Sequence, residues 1–158
     1  MSRRTVSILT FIVLMISLTF LLLFMKTQSK ANQAEEEAVS LIEYEMPVKQ
    51  VHHFYWTTIQ KAYFSLDFTN GDDERKYAII EQDGGQSHYF DYDTLITQEE
   101  AASIAQSEKD IQKIIQVRLG LKDTLPVWEV TSKQEDGRLD YLYIDATTGD
   151  IVDSIENI

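Results

Sequence analysis

The sequence predicts an α+β protein. An N-terminal transmembrane helix should be followed by two tandem units, each one helix packed on an antiparallel sheet of about four strands. Three observations carry this prediction. Thr5 to Met25 contains no charged residue. Val127 to Ile158 reads strand, turn, strand, turn, strand. The same order of elements occurs earlier at an offset of 64 residues, with Phe64 answering Trp128, Leu66 Val130, Tyr77 Tyr141, Ile80 Ile144 and Gly85 Gly149. An order of elements repeated at a fixed period is the mark of duplicated supersecondary units. The predicted division is 1–26 for a cytoplasmic N-terminus and anchor, 27–94 for the first unit and 95–158 for the second.

A helix from Thr5 to Met25 would rise about 31 Å, enough for a hydrocarbon core of about 30 Å. Its apolar run exceeds the roughly 7–15 residues of a signal-peptide core, which favours an uncleaved anchor. Arg3 and Arg4 on one side against Lys26 and Lys30 on the other favour a cytoplasmic N-terminus, with the remaining chain outside the cell. Lys26 to Gln33 reads as a polar stalk.

A second helix is expected from about Ala34 to Glu45, with Asn32 and Glu35 as a capping pair and Ala34, Ala38, Leu41 and Ile42 on one face. Pro47 stops it. Val48–Trp56 is a strand rich in aromatics, and Thr57–Gln60 a turn. Phe64–Thr69 alternates apolar and polar residues, as a strand with one buried face does. Asn70-Gly71 turns the chain, Tyr77–Glu81 is the next strand, Asp83-Gly84-Gly85 the next turn, and His88–Tyr92 the last strand of the unit.

The second unit opens on Thr97-Gln-Glu-Glu100, a capping box in which hydroxyl and carboxylate each satisfy an amide of the other residue. Ala101, Ile104 and Ala105 form the apolar stripe of its helix. Lys113–Leu121 is a strand on which Arg118 and Lys122 are expected to face solvent. Pro126 begins the Trp128 strand at no cost in ladder bonds. Asp136-Gly137 and Thr148-Gly149-Asp150 are tight turns.

Charge and composition exclude several functions. With 26 acidic and 14 basic residues the net charge is −12, which repels phosphate backbones and argues against nucleic acid as a partner. No cysteine is present, so neither disulfides nor thiolate chemistry can operate. No nucleophile elbow, Ser-x-x-Lys pair, zinc-helix motif or phosphate-binding glycine loop occurs. His52 and His53 are neighbours on a strand and should face opposite ways, leaving too few ligands for zinc. The acidic clusters at Asp72-Asp73-Glu74 and at Asp91 and Asp93 lack the spacing of a calcium loop. The sequence therefore predicts no enzyme, no catalytic residue, no metal and no cofactor. One stretch stands out as a candidate partner interface: Phe54, Tyr55 and Trp56 make their strand aromatic on both faces. One face can be core; the other must pack on the second unit or on a partner, or remain exposed.

The run Trp128-Glu-Val130, then Tyr141-Leu-Tyr-Ile-Asp145-Ala-Thr-Thr-Gly149-Asp-Ile151, preceded by a helix and a strand, resembles a PepSY (cystatin-like) domain over Ile96 to about Ile155. PepSY domains occur in the propeptides of thermolysin-like proteases and in many extracytoplasmic bacterial proteins. The whole chain is similar to the TseB (YpmB) family of Gram-positive bacteria. That resemblance implies a membrane-anchored extracytoplasmic regulator of cell-wall elongation. Its implied partner is an elongation-specific class B penicillin-binding protein in the same membrane. The alternative the PepSY resemblance implies is a propeptide-like inhibitor acting in trans on a peptidase.

Overall fold

A computed structural model describes residues 3–108 and 111–156. The elements are α1 (Arg3–Glu43), β1 (Val48–Thr58), β2 (Ala62–Asn70), β3 (Arg75–Glu81), β4 (Ser87–Asp91), a 3₁₀ turn at Tyr92–Thr94, α2 (Gln98–Glu108), β5 (Lys113–Lys122), β6 (Leu125–Lys133), β7 (Leu139–Asp145) and β8 (Ile151–Ile155). The chain divides into two compact units, Met1–Glu37 and Ala38–Ile158.

The first unit is helix. The transmembrane helix expected over Thr5–Met25 is not supported: among the described residues, no helix is long and apolar enough to cross a membrane. Thr5–Ser7, Leu9, Phe24 and Met25 lie outside the residues whose side chains are described. The helix also runs on without a break to Glu43, so the expected stalk and the fresh start at Asn32 are absent. The physical reason is composition. Residues 26–43 contain neither Gly nor Pro and are rich in Ala, Glu, Gln and Lys, which favour helix. Pro47 is the first breaker, and the chain turns just before it.

The second unit holds two four-stranded antiparallel meanders, in the orders β1-β2-β3-β4 and β5-β6-β7-β8. The α+β class and the two sheets agree with the sequence prediction. The repeat is exact in pairing register at its centre: Phe64 faces Ile80 and Leu66 faces Ala78 across β2–β3, while Trp128 faces Ile144 and Val130 faces Leu142 across β6–β7. Gly149, with φ of +82°, makes the β7–β8 turn in a conformation that L side chains rarely adopt.

α2 starts as the capping box requires. The Thr97 amide donates to Glu100 Oε2 at 2.7 Å, and the Glu100 amide donates to Thr97 Oγ1 at 3.2 Å. The helix lies against β5 and β6 and buries Ala101 and Ala105 completely. On the first sheet, Leu66, Phe68, Ala78 and Ile80 share one face and are fully buried. Ala38 and Ile42, at the end of α1, are fully buried as well.

β2 departs from the expectation of one buried face: everything from Tyr63 to Asp67 is buried. Its polar side is sealed by the second sheet. Ser65 Oγ donates to Leu119 O at 2.9 Å, so an edge carbonyl of β5 is satisfied from β2. One continuous core results. It joins Tyr55, Tyr63, Tyr77 and Ile79 of the first sheet to Leu119, Trp128, Val130, Leu142 and Ile144 of the second, and to α2.

The two sheets approach closely at Gly120. A Cβ there would stand 2.6 Å from Thr57 Oγ1 and 3.0 Å from Ile59 Cδ1. Gly120→Ala should therefore lower the unfolding free energy by about 1–3 kcal/mol through overpacking. Adding Thr57→Ala, which deletes the obstructing hydroxyl, should recover part of that loss. Thr57 Oγ1 is buried without a hydrogen-bond partner, so its removal leaves no new unpaired group. Urea denaturation of the single and double variants measures both effects; equal loss in the two would reject this account of the glycine.

Candidate interaction site

β1 supplies the candidate surface, and its alternation divides the aromatic run. Tyr55 points into the shared core and is 7% exposed. Its ring meets Trp128 edge-on at 5.4 Å, and its hydroxyl donates to Gln98 Oε1 at 2.9 Å. Burial raises its pKa, with the Asp67 carboxylate adding to the effect. Phe54 and Trp56 take the opposite face. Phe54 is half-buried on Phe64, with centroids 5.6 Å apart. Trp56 packs one edge on Phe64 at 5.5 Å and remains 45% exposed. The three residues thus divide between core and surface, and Trp56 is the one left open.

A polar cluster lies beside Tyr55. Arg75 grips the buried carboxylate of Asp67 through two hydrogen bonds, Nε to Oδ1 at 2.8 Å and Nη2 to Oδ2 at 2.6 Å. His53 Nδ1 lies 3.1 Å from the same Oδ2. Burial pushes the Asp67 pKa up, but the hydrogen bonds from Arg75 and His53 outweigh it and hold the carboxyl below its ordinary value. The Arg75 guanidinium also stacks 3.9 Å above Tyr92, which itself stacks on Tyr77. The structure corrects the histidine reading. A register shift between Val51 and His53 lets His52 reach Thr69 at 2.8 Å while His53 reaches Asp67. Both imidazoles thus engage alternate residues on one side of β2, where a regular strand would have parted them.

A second ionic row crosses the other sheet. Arg118, Glu129, Tyr143 and Asp153 are successive cross-strand neighbours. Arg118 Nη2 donates to the buried Glu129 at 2.6 Å, and Nη1 donates to the Trp56 carbonyl at 3.2 Å. Lys122 pairs with Asp153 and lies 4.9 Å from the Tyr143 ring centroid. Burial, then Glu129, pushes the Tyr143 pKa up to about 12. Arg118 and Lys122 therefore do not point freely to solvent as expected. Each has an acidic partner on its own sheet, and Arg118 also ties that sheet to β1.

None of these groups forms a reactive pair. Arg75 and Asp67, like Arg118 and Glu129, are locked in mutual ion pairs. Burial raises the pKa values of Tyr55, Tyr77 and Tyr143, and the exposed element is an aromatic ring. Such an arrangement can position, pack and bind. Sequence reasoning singled out Phe54, Tyr55 and Trp56 and missed both ion pairs. Their signal was present: Asp67 sits between Leu66 and Phe68, and Glu129 between Trp128 and Val130, each an acid inside an apolar strand.

With this geometry in hand, the comparisons become informative. Residues 95–155 match PepSY, the peptidase propeptide and YPEB domain. The PepSY stretch comprises α2 and the whole second sheet, with Trp128 at its centre. Among solved structures, the chain is similar to the YpmB protein from Bacillus subtilis. The TM-score is 0.67 at 23% identity, over 76% of this chain and 95% of that one. That likeness establishes a shared fold that extends beyond the PepSY stretch. No curated protein matches the chain.

Proposed function

We propose that the chain is a non-enzymatic, extracytoplasmic binding protein that docks on and regulates the cell-wall elongation machinery, through a class B penicillin-binding protein. The observation that carries this reading is the PepSY match over 95–155 on a fold shared with nearly the whole of YpmB. The site proposed for docking is the exposed ring of Trp56 on β1, with the half-buried Phe54 beside it. A large ring held by packing on one edge and open on the other loses little freedom on association, which is why Trp is common at interface centres.

The test is crosslinking in intact cells from a photoreactive amino acid placed at position 56, followed by identification of the captured protein. A penicillin-binding protein is the expected product. In a separate variant with the photoreactive group at Thr58, Trp56→Ala should abolish that product while costing about 1 kcal/mol or less in stability. Capture of other proteins only, or an unchanged yield with Trp56→Ala, would remove the reading.

The family description itself, a peptidase propeptide domain, favours a second reading, inhibition of a peptidase in trans. Its assay is the activity of a secreted metallopeptidase with and without the purified chain. Inhibition without any wall-synthesis partner would select this alternative.

A further inference from the structure

Exposed large apolar side chains are unevenly spread over the unit from Ala38 to Ile158. Among its described residues they are Leu41, Tyr44, Trp56, Ile115, Ile151, Val152 and Ile155. Three of them fall on the five residues of β8, where Ile151, Val152 and Ile155 are 39%, 41% and 44% exposed. β8 is also an outer strand, paired with β7 on one side only. Its burial contrasts with β4, the outer strand of the first sheet, where all but Asp91 are half-buried. An outer strand that shows apolar side chains is a template for another extended segment.

The charges decide which segment. Asp150, Asp153 and Glu156 lie on or beside β8, with no basic residue between them. The chain as a whole carries −12. A second copy would bring like charge against like, whereas a segment alternating apolar and basic residues would match both features. The strand is guarded rather than open. A register shift lies opposite Tyr143 and Ile144, and Asp153 Oδ1 accepts the Ser154 amide at 2.8 Å while its other oxygen pairs with Lys122. Guarding of this kind resists indiscriminate pairing. It also places a carboxylate where an incoming lysine or arginine can take it over.

We infer that β8 is a docking edge for an extended segment of another protein in which apolar residues alternate with lysine or arginine. This surface is separate from Trp56, which lies on the first sheet, and the inference stands without the proposed partner.

The experiment uses the purified full chain and three synthetic ten-residue peptides. One alternates valine and lysine, one alternates valine and glutamate, and one carries the valines and lysines of the first in two blocks. Fluorescence anisotropy measures binding; hydrogen exchange locates it. The alternating valine–lysine peptide should bind, slow amide exchange over 150–156, and lose about tenfold in affinity with Ile155→Lys or Val152→Lys. Both substitutions fall on exposed side chains, and an unchanged thermal midpoint verifies that the fold persists. Equal binding of the glutamate or block peptide, protection away from β8, or unchanged affinity in the lysine variants would each overturn the inference. So would concentration-dependent self-association that the same variants abolish, since that would assign the edge to a second copy.

Discussion

Arg118→Ala should destabilise the chain by about 3–5 kcal/mol, the typical cost of removing one partner from a buried ion pair. The cause lies less in the lost attraction than in what remains. Glu129 is buried between Trp128 and Val130 on a central strand, and Arg118 is the cation bonded to it. The Trp56 carbonyl loses a donor as well. Changing both partners, Arg118→Met with Glu129→Gln, should cost much less, because no unpaired charge is left inside. Chemical denaturation at neutral pH gives both values. A single variant within 1 kcal/mol of the unmodified protein, a threshold of about that size being typical of exposed pairs, would show that Glu129 is hydrated and that the pair is superficial.

Trp128→Ala should cost a similar amount, about 3–5 kcal/mol. The side chain is fully buried, its Nε1 donates to Ile96 O at 2.8 Å, and both Tyr55 and Tyr77 meet its ring edge-on. The informative feature is the shape of the transition. Because Trp128 belongs to the second sheet and its aromatic partners to the first, the loss should lower the stability of both sheets together. Hydrogen exchange should show β2 and β3 opening along with β6 and β7. If the amides of the first sheet keep their protection while the second loses it, the aromatic junction does not couple them.

The strand sequence of the second sheet could be read closely because its cues are local. Trp128 and Val130 alternate with polar neighbours, Thr97 and Glu100 cap a helix, and glycine marks the turns. The first helix was misread for the opposite reason. Its ends are set by what lacks a breaker, so the eye supplied a stalk at Lys26 and a start at Asn32 where the backbone simply continues. Polar residues in the strands misled in a third way. Arg118 and Lys122 are expected in solvent because charged side chains usually are, and the alternation of Phe64–Thr69 puts Asp67 on the open face of its strand. The burial of Asp67 and the pairing of the two cations follow from contacts between distant segments: the second sheet lies over Ser65 and Tyr55, Arg75 arrives from the neighbouring strand, and Arg118 and Lys122 meet Glu129 and Asp153. Tyr55 and Trp56 look equivalent in sequence. Only the placement of the second sheet decides which becomes core, and no local pattern encodes that placement.

The aromatic junction also bears on where this protein can be cut. The stretch that matches PepSY begins at residue 95, yet the Trp128 ring is packed by Tyr55 and Tyr77 upstream of that boundary. A fragment cut at residue 95 would lack both tyrosine contacts to that ring. The boundary of the matched stretch and the boundary of the packed core therefore do not coincide.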